Sequence, residues 1–235
     1  AALAAYTASP RHDVPFYTVV TDLVSVHRMW FNSHAAGCLV PTTIVRDLAI
    51  ENGISEEKII LTGIPVQTEI AKAPADRAAL RAGIGLHPDI PTFLAVGSRR
   101  VQSLLSAARV LNHFGIPLQL IAVAGKDPEL YASLKQMEWH IPVKIYEFTD
   151  NMPTLMQSSD AIICKAGGLI VTESLACGLP MMLVDVIPGQ ETGNAEYVVQ
   201  NGAGTLVEEP IEMLETIADW LRDGGRLLQE KTANA

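Results

Sequence analysis

Short apolar runs alternate with amphipathic stretches along almost the whole chain, and this alternation limits the fold more than any other feature. The runs Phe16–Thr21, Gly37–Val40, Lys58–Thr62, Thr92–Val96, Leu118–Val123, Val143–Tyr146, Ala161–Cys164, Met181–Val184 and Gly204–Val207 are each only four to six residues long. Runs this short and this apolar suit strands covered on both faces, as in a parallel sheet. Helical spacing of apolar residues predicts helices at Thr42–Glu51, Asp76–Gly83, Val101–Phe114, Pro128–Met137, Asn151–Ser158, Gly168–Cys177, Glu191–Asn201 and Pro210–Leu221. Strand followed by helix, many times over, predicts an open, doubly wound α/β sheet.

Composition removes several classes of function. With 49% hydrophobic residues in 235, the chain can bury a sizeable core. The formal net charge of −9 argues against a duplex-coating nucleic-acid binder. Three cysteines, Cys38, Cys164 and Cys177, show no CxxC spacing and point to a reducing compartment with structural thiols. Histidines 12, 27, 34, 87, 113 and 140 form no HxxxH or HExxH pattern, so no metal site is expected. The first residues, AALAAYTASPRHD, lack the charged start and apolar centre of a signal peptide. No apolar stretch of about 18 residues escapes a charge or proline, so no membrane span is expected. The expectation is a soluble, cytoplasmic chain.

One stretch interrupts the alternation. After Thr62 comes GIPVQTEIAKAPADRAALRAGIGLHPDIP, whose prolines precede the next strong strand. The reading is a linker at residues 64–75 and a Rossmann-like domain at residues 76–235. Residues 1–63 hold three predicted strands and one convincing helix, the end of a domain rather than a whole one.

Ligands of open α/β sheets sit outside the carboxyl ends of the strands, so the loops after strands are where chemistry is expected. Lys165-Ala166-Gly167-Gly168-Leu169 runs from a buried strand straight into a helix. Backbone N–H groups at such a turn, at the positive end of the helix dipole, suit a phosphate; a plain tight turn is the competing reading. Glu173, on the same apolar helix, would need a partner for its charge, and a ribose diol is one; solvent is the other. Gln190, Glu191 and Asn194 bring three polar groups to a helix start and suit sugar hydroxyls, or simple capping. Gly97-Ser98-Arg99-Arg100 either holds phosphate or is a solvated loop. Phe148 and Thr149 either flank a base or end a strand, with Asp150 or Asn151 as the following cap. Asp22, His27 and Trp30 lie in one loop with Met29 and Phe31; the aromatics either face a lipid or belong to the core.

The blocks TDLVSVHRMWF, LTGIPV, FTDNM, CKAGGLIVTESLACGLPMMLV and PGQETGNAEYVVQNGAG, in this order, resemble glycosyltransferase family 28. Within that family the resemblance is strongest to monogalactosyldiacylglycerol synthases and related diacylglycerol glycosyltransferases. It is weaker to the N-acetylglucosaminyltransferase that makes lipid II. It implies the two-domain GT-B fold, with a complete C-terminal donor domain and the end of an N-terminal acceptor domain. It implies inverting transfer of a hexose from a UDP-sugar, UDP-galactose among the candidates, to diacylglycerol at a membrane surface, without a metal or other cofactor. Carried over by position, Phe148 and Thr149 fall to the uracil, and Gly167, Gly168 and Leu169 to the diphosphate. Gly97, Ser98 and Ala166 join that donor set. Glu173 falls to the ribose, and Gln190, Glu191 and Asn194 to the hexose. Asp22, His27 and Trp30 are candidates for the acceptor side.

Departures from the family pattern carry their own expectations. The family's glycine-rich loop with a histidine, which would hold the general base, has no counterpart here, so the base is expected in a missing N-terminal segment and the isolated chain is expected to bind donor without turning it over. Gln67 stands where the family has an arginine, and Arg99 or Arg100 is the expected compensation. The ending GGRLLQEKTANA is expected to cut short the family's closing helix. Two alternatives stay open: a lipid-linked-sugar N-acetylglucosaminyltransferase, and a non-catalytic UDP-sugar-binding module completed by a separate N-terminal chain. Association with the membrane would be peripheral, on the inner face.

Overall fold

The computed structural model describes residues 14–70, 76–98, 101 and 103–235. The expected linker residues 71–75, and Arg99 and Arg100, lie outside them. The chain divides after Pro65 into two compact units.

The first unit is a parallel sheet of β1 (Tyr17–Val19), β2 (Gly37–Val40) and β3 (Ile59–Leu61), in that spatial order. Helix α1 (Thr43–Glu51) follows β2. Thr42 starts it by accepting from the Val45 N–H at 3.2 Å, and its own hydroxyl donates to the Leu23 carbonyl at 2.7 Å. The core is Val20, Cys38, Val40, Val45, Ala49 and Ile54.

The second unit is a six-stranded, all-parallel sheet. Its strands are β4 (Thr92–Val96), β5 (Gln119–Val123), β6 (Val143–Tyr146), β7 (Ala161–Cys164), β8 (Met181–Leu183) and β9 (Gly204–Leu206). Their spatial order is β6-β5-β4-β7-β8-β9. The chain therefore builds outward from β4 in one direction, returns, and builds outward from β7 in the other. β4 pairs with β7 through Phe93–Ala161 and Leu94–Ile162. The reversal makes a switch point between these two strands, and the loops after them diverge to opposite faces of the sheet, which opens a crevice. The expected α/β, doubly wound class is what the second unit shows.

Its connecting helices are α2 (Arg77–Gly83), α3 (Leu104–Asn112), α4 (Pro128–Gln136), α5 (Met152–Gln157), α6 (Gly168–Ala176), α7 (Thr192–Gln200) and α8 (Pro210–Leu221). Along α8 the buried positions Met213, Ile217 and Trp220 recur at helical spacing and join Leu104, Leu111, Phe93 and Leu120 in one core. At the amino ends of the strands, the buried Gln119 amide donates to the carbonyls of His87 and Ile90 and accepts from the His87 N–H.

Residues Arg226–Asn234 form a further helix, α9, beyond the helices predicted from spacing, and Leu228 on it is buried. Gly224 and Gly225 both take positive φ, 72° and 80°, so they turn the chain sharply after α8 and let a new helix begin. Local propensity in RLLQEKTAN is sufficient for that helix once the turn has placed Leu228 on the core.

Candidate functional site

The loops after β4 and β7 flank the switch point. After β7 the chain passes through Lys165 and Ala166 to Gly167, the N-cap of α6, where no side chain caps the first turn. Glycine at this position leaves the N–H groups of the first helical turn uncovered by any Cβ of the cap residue. Asn194, buried on α7, donates to the Ala166 carbonyl at 3.1 Å and so ties the start of α7 to this turn. After β4, the Gly97 N–H donates to the Val123 carbonyl at 2.7 Å. The loop after β5 packs against it closely: a Cβ on Gly125 would fall 2.0 Å from the Gly97 oxygen.

Glu173 lies in the second turn of α6, half-buried, and burial raises its carboxyl above the ordinary carboxylate range. Its side chain makes no hydrogen bond or ion pair among the described residues. Cys164, at the end of β7, is fully buried; burial first, then the neighbouring Glu191 charge, push its thiol up to about 12, so it stays protonated and inert.

Glu191 is expected among the sugar-reading groups. Only 2% exposed, it pairs with the Lys165 ammonium through Oε1 and accepts from the Ile187 N–H at 3.2 Å through Oε2. Burial beneath the turn, rather than presentation at a surface, is forced by the ion pair: an unpaired carboxylate there would be costly. Asn194 is likewise buried. Of the three expected hexose readers, Gln190 alone is exposed.

Phe148 is 49% exposed, and the Lys126 ammonium sits 4.1 Å from the centre of its ring. Thr149 accepts from the Asn151 N–H at 3.0 Å, so the hydroxyl of Thr149, not a side chain at 150 or 151, bonds the backbone before α5. In the first unit, Met29 and Trp30 are 71% and 57% exposed, so neither belongs to the core of that unit as described. Phe31 alone of that group packs against the core. They sit on a short 3-10 turn, Arg28–Trp30, whose start is capped by His27. His27 Nδ1 accepts from the Met29 N–H at 3.2 Å. Asp22 is half-buried in the same loop.

Sequence reasoning missed three residues. Lys165 belongs to the glycine-turn block, but its acidic partner lies 26 positions away with no local signal. Asp185 adopts a positive φ of 50° after β8 and accepts from both the backbone N–H and the hydroxyl of Ser103, at 2.7 and 2.8 Å. It thereby fastens the loop carrying Gln190 to the loop after β4. Lys126, also at positive φ, carries the ammonium over Phe148. Lysine and aspartate at positive φ are uncommon and mark constrained loops.

At the amino ends of the strands a separate cavity of about 600 Å³ is lined by Arg77, Arg81, Asp160 and Leu228. Its charges are committed to each other. Asp160 accepts from Arg77, Arg81 and the Thr92 N–H, and Arg81 also donates to the carbonyls of Ser158 and Pro88. Among the described residues no cluster of three or more His, Cys, Asp or Glu side chains is placed to hold a metal, and no helix is long and apolar enough to cross a membrane.

Comparison with known proteins places these features. The glycosyltransferase family 28 C-terminal domain matches residues 93–234, and monogalactosyldiacylglycerol (MGDG) synthase matches residues 7–66. Monogalactosyldiacylglycerol synthase 3 of Arabidopsis thaliana is 35% identical over 233 residues, covering 94% of this chain and 50% of its own. Monogalactosyldiacylglycerol synthase of Spinacia oleracea is 32% identical over 230 residues, covering 94% and 44%. The chain thus spans about half the length of the curated relatives it matches. Among solved structures, S. aureus MnaA with UDP aligns with a TM-score of 0.68 at 18% identity, over 99% of this chain and 64% of that one. Acinetobacter baumannii MurG aligns with a TM-score of 0.65 at 18% identity, over 95% and 62%. These two likenesses are likenesses of fold.

Proposed function

Because the chain belongs to glycosyltransferase family 28, we propose that it forms the UDP-sugar-binding part of a hexosyltransferase that glycosylates diacylglycerol, with UDP-galactose as the donor. The observation that carries this reading is the Glu173 carboxylate. It is half-buried, raised by burial and without a partner among the described residues, on the helix whose uncapped first turn borders the switch point. A ribose diol would donate to Glu173 while the diphosphate lies against the N–H groups at residues 168–170. The exposed Phe148 ring would flank the uracil. Gly97 and Ser98, across the crevice on the loop after β4, complete the donor set, and Gln190 faces the hexose. The chain's relatives are monogalactosyldiacylglycerol synthases, which supports the galactosyl donor and the diacylglycerol acceptor.

The reaction on this reading is a single displacement with inversion. A base removes the proton from the acceptor hydroxyl, whose oxygen attacks the anomeric carbon, and the sugar–phosphate bond breaks with UDP leaving. The positive end of α6 stabilises the charge that grows on the departing phosphate. No residue of this chain is assigned as the base. Residues 1–63 close the acceptor half. Tyr17, Val19, Ile60 and Leu61 leave apolar area exposed on its sheet, which supports covering by the rest of that half, in the same polypeptide or as a separate chain. Met29 and Trp30 are assigned to a peripheral contact with the lipid surface, near Asp22.

Calorimetry tests the reading directly. UDP is expected to bind the chain, and Glu173→Ala to weaken it by roughly tenfold or more, since a hydrogen bond to a charged group contributes about 1.5–3 kcal/mol. Equal UDP affinity in the variant would remove the site assignment. Transfer assays on the full-length gene product with UDP-galactose, UDP-glucose and UDP-N-acetylglucosamine then decide the donor.

A further inference from the structure

We propose that Lys165 is the cation that neutralises the donor diphosphate, and that Glu191 acts as its positioning residue rather than as a reader of the hexose; this deepens, and rests on, the UDP-donor reading above. The turn after β7 offers backbone N–H groups, but the end of a helix carries only about half an elementary charge. A nucleoside diphosphate brings two or more negative charges out of water, so a full positive charge at the turn is required for tight binding. Gln67 carries none. Lys165 does, and its ammonium lies 3.4 Å from the point where a Cβ on Gly167 would sit, with the Glu191 Oε1 that it pairs with at 3.6 Å from the same point.

Its surroundings explain why that ammonium is held there. An ammonium has three N–H donors. One is taken by Glu191, and no other protein acceptor for it is found among the described residues. The lysine side chain is 28% exposed and that of its partner 3%, so the pair is asymmetric: the carboxylate lies beneath, and the ammonium retains access to solvent. Glu191 is fixed from a second side by the Ile187 N–H, and the turn itself by Asn194. The carboxylate thus anchors a flexible four-carbon side chain in one place. Leaving the anchor bond intact, Lys165 can direct its remaining donors to a phosphate oxygen. The reverse arrangement, with Glu191 turned to a sugar hydroxyl, would require breaking the ion pair and exposing a buried carboxylate.

The test compares UDP with uridine on the 235-residue chain. Lys165→Met is expected to weaken UDP by roughly tenfold to a hundredfold while leaving uridine unchanged. Lys165→Arg is expected to keep most of the UDP affinity, and Glu191→Gln to weaken UDP selectively by a smaller factor. Since Lys165→Met leaves Glu191 unpaired, the double variant Lys165→Met/Glu191→Gln removes both charges together and must show the same UDP-selective loss. In the unaltered chain, saturating UDP, but not uridine, is expected to slow acetylation of Lys165 as read by mass spectrometry. UDP affinity indifferent to Lys165→Met, equal losses for UDP and uridine, or acetylation of Lys165 at the same rate with and without UDP would each overturn the proposal. A wild-type chain that binds neither ligand would instead overturn the donor reading on which it rests.

Discussion

A carboxylate that burial holds above its ordinary pKa is a cost to the fold whenever it is charged, and Glu173 is in that position. The sign follows from linkage: a raised folded pKa means the folded chain binds the proton more tightly than the unfolded one. Stability is therefore undiminished below the ordinary glutamate value, about pH 4, and is lost as pH rises from there through the raised value. Glu173→Gln is expected to melt at a higher temperature than wild type at pH 7, with the gain vanishing below about pH 4, even as it binds UDP more weakly. Opposite effects on stability and on affinity mark a residue retained for binding. Equal melting temperatures at pH 7 would remove the burial argument. Gly125 gives a second residue-scale prediction. Its φ of 71° and the 2.0 Å approach of a Cβ to the Gly97 oxygen leave no room for alanine. Gly125→Ala is expected to destabilise by more than the ~1–2 kcal/mol of left-handed strain alone, in a thermal melt, and to weaken UDP through the displaced Gly97 loop.

At the scale of elements, the loops do different work at the two ends of the sheet. At the amino ends, Asp160 gathers Arg77, Arg81 and the start of β4, so α2, α5 and β7 are fastened by charge and hydrogen bonds. Asp160→Asn leaves the buried Arg81 guanidinium short of its counter-charge and is expected to cost roughly 3 kcal/mol in denaturant unfolding, within the range for a buried pair broken from one side. UDP affinity should be retained, because the donor loops lie at the carboxyl ends. At those ends the fastening is incomplete by contrast: among the described residues Glu173 has no hydrogen-bond or ion-pair partner and Lys165 has donors to spare, while Asp185, at positive φ, is bonded by Ser103. The sequence already located these strands and nearly all of the helices, because apolar period and turn residues are local signals. It missed α9, whose apolar face is short and whose placement depends on the Gly224-Gly225 turn. It also could not show that Glu191 and Asn194 are buried while Gln190 is exposed, since a polar residue near a helix start looks the same in sequence whether it points outward or is buried under a neighbouring loop.

At the scale of the whole molecule, the second unit carries its own core, from Phe93 to Leu228, and the residues proposed to hold the donor. Residues 66–235 alone are expected to fold cooperatively and to bind UDP within about threefold of the full chain; a fragment that fails to melt cooperatively would refute that independence. The first unit contributes the exposed Met29 and Trp30, and replacing both by alanine is expected to reduce binding to diacylglycerol-containing vesicles in a sedimentation assay without altering UDP affinity. By itself the sequence determined the class of fold, the position of every strand and the chemistry available in each loop, because those depend on residues close together in the chain. Tertiary structure alone decided that β4 lies beside β7, that Lys165 meets Glu191 and that Asp185 meets Ser103. Pairings of that kind are settled by which apolar faces bury each other and which buried charges find partners, and no local run of residues encodes either.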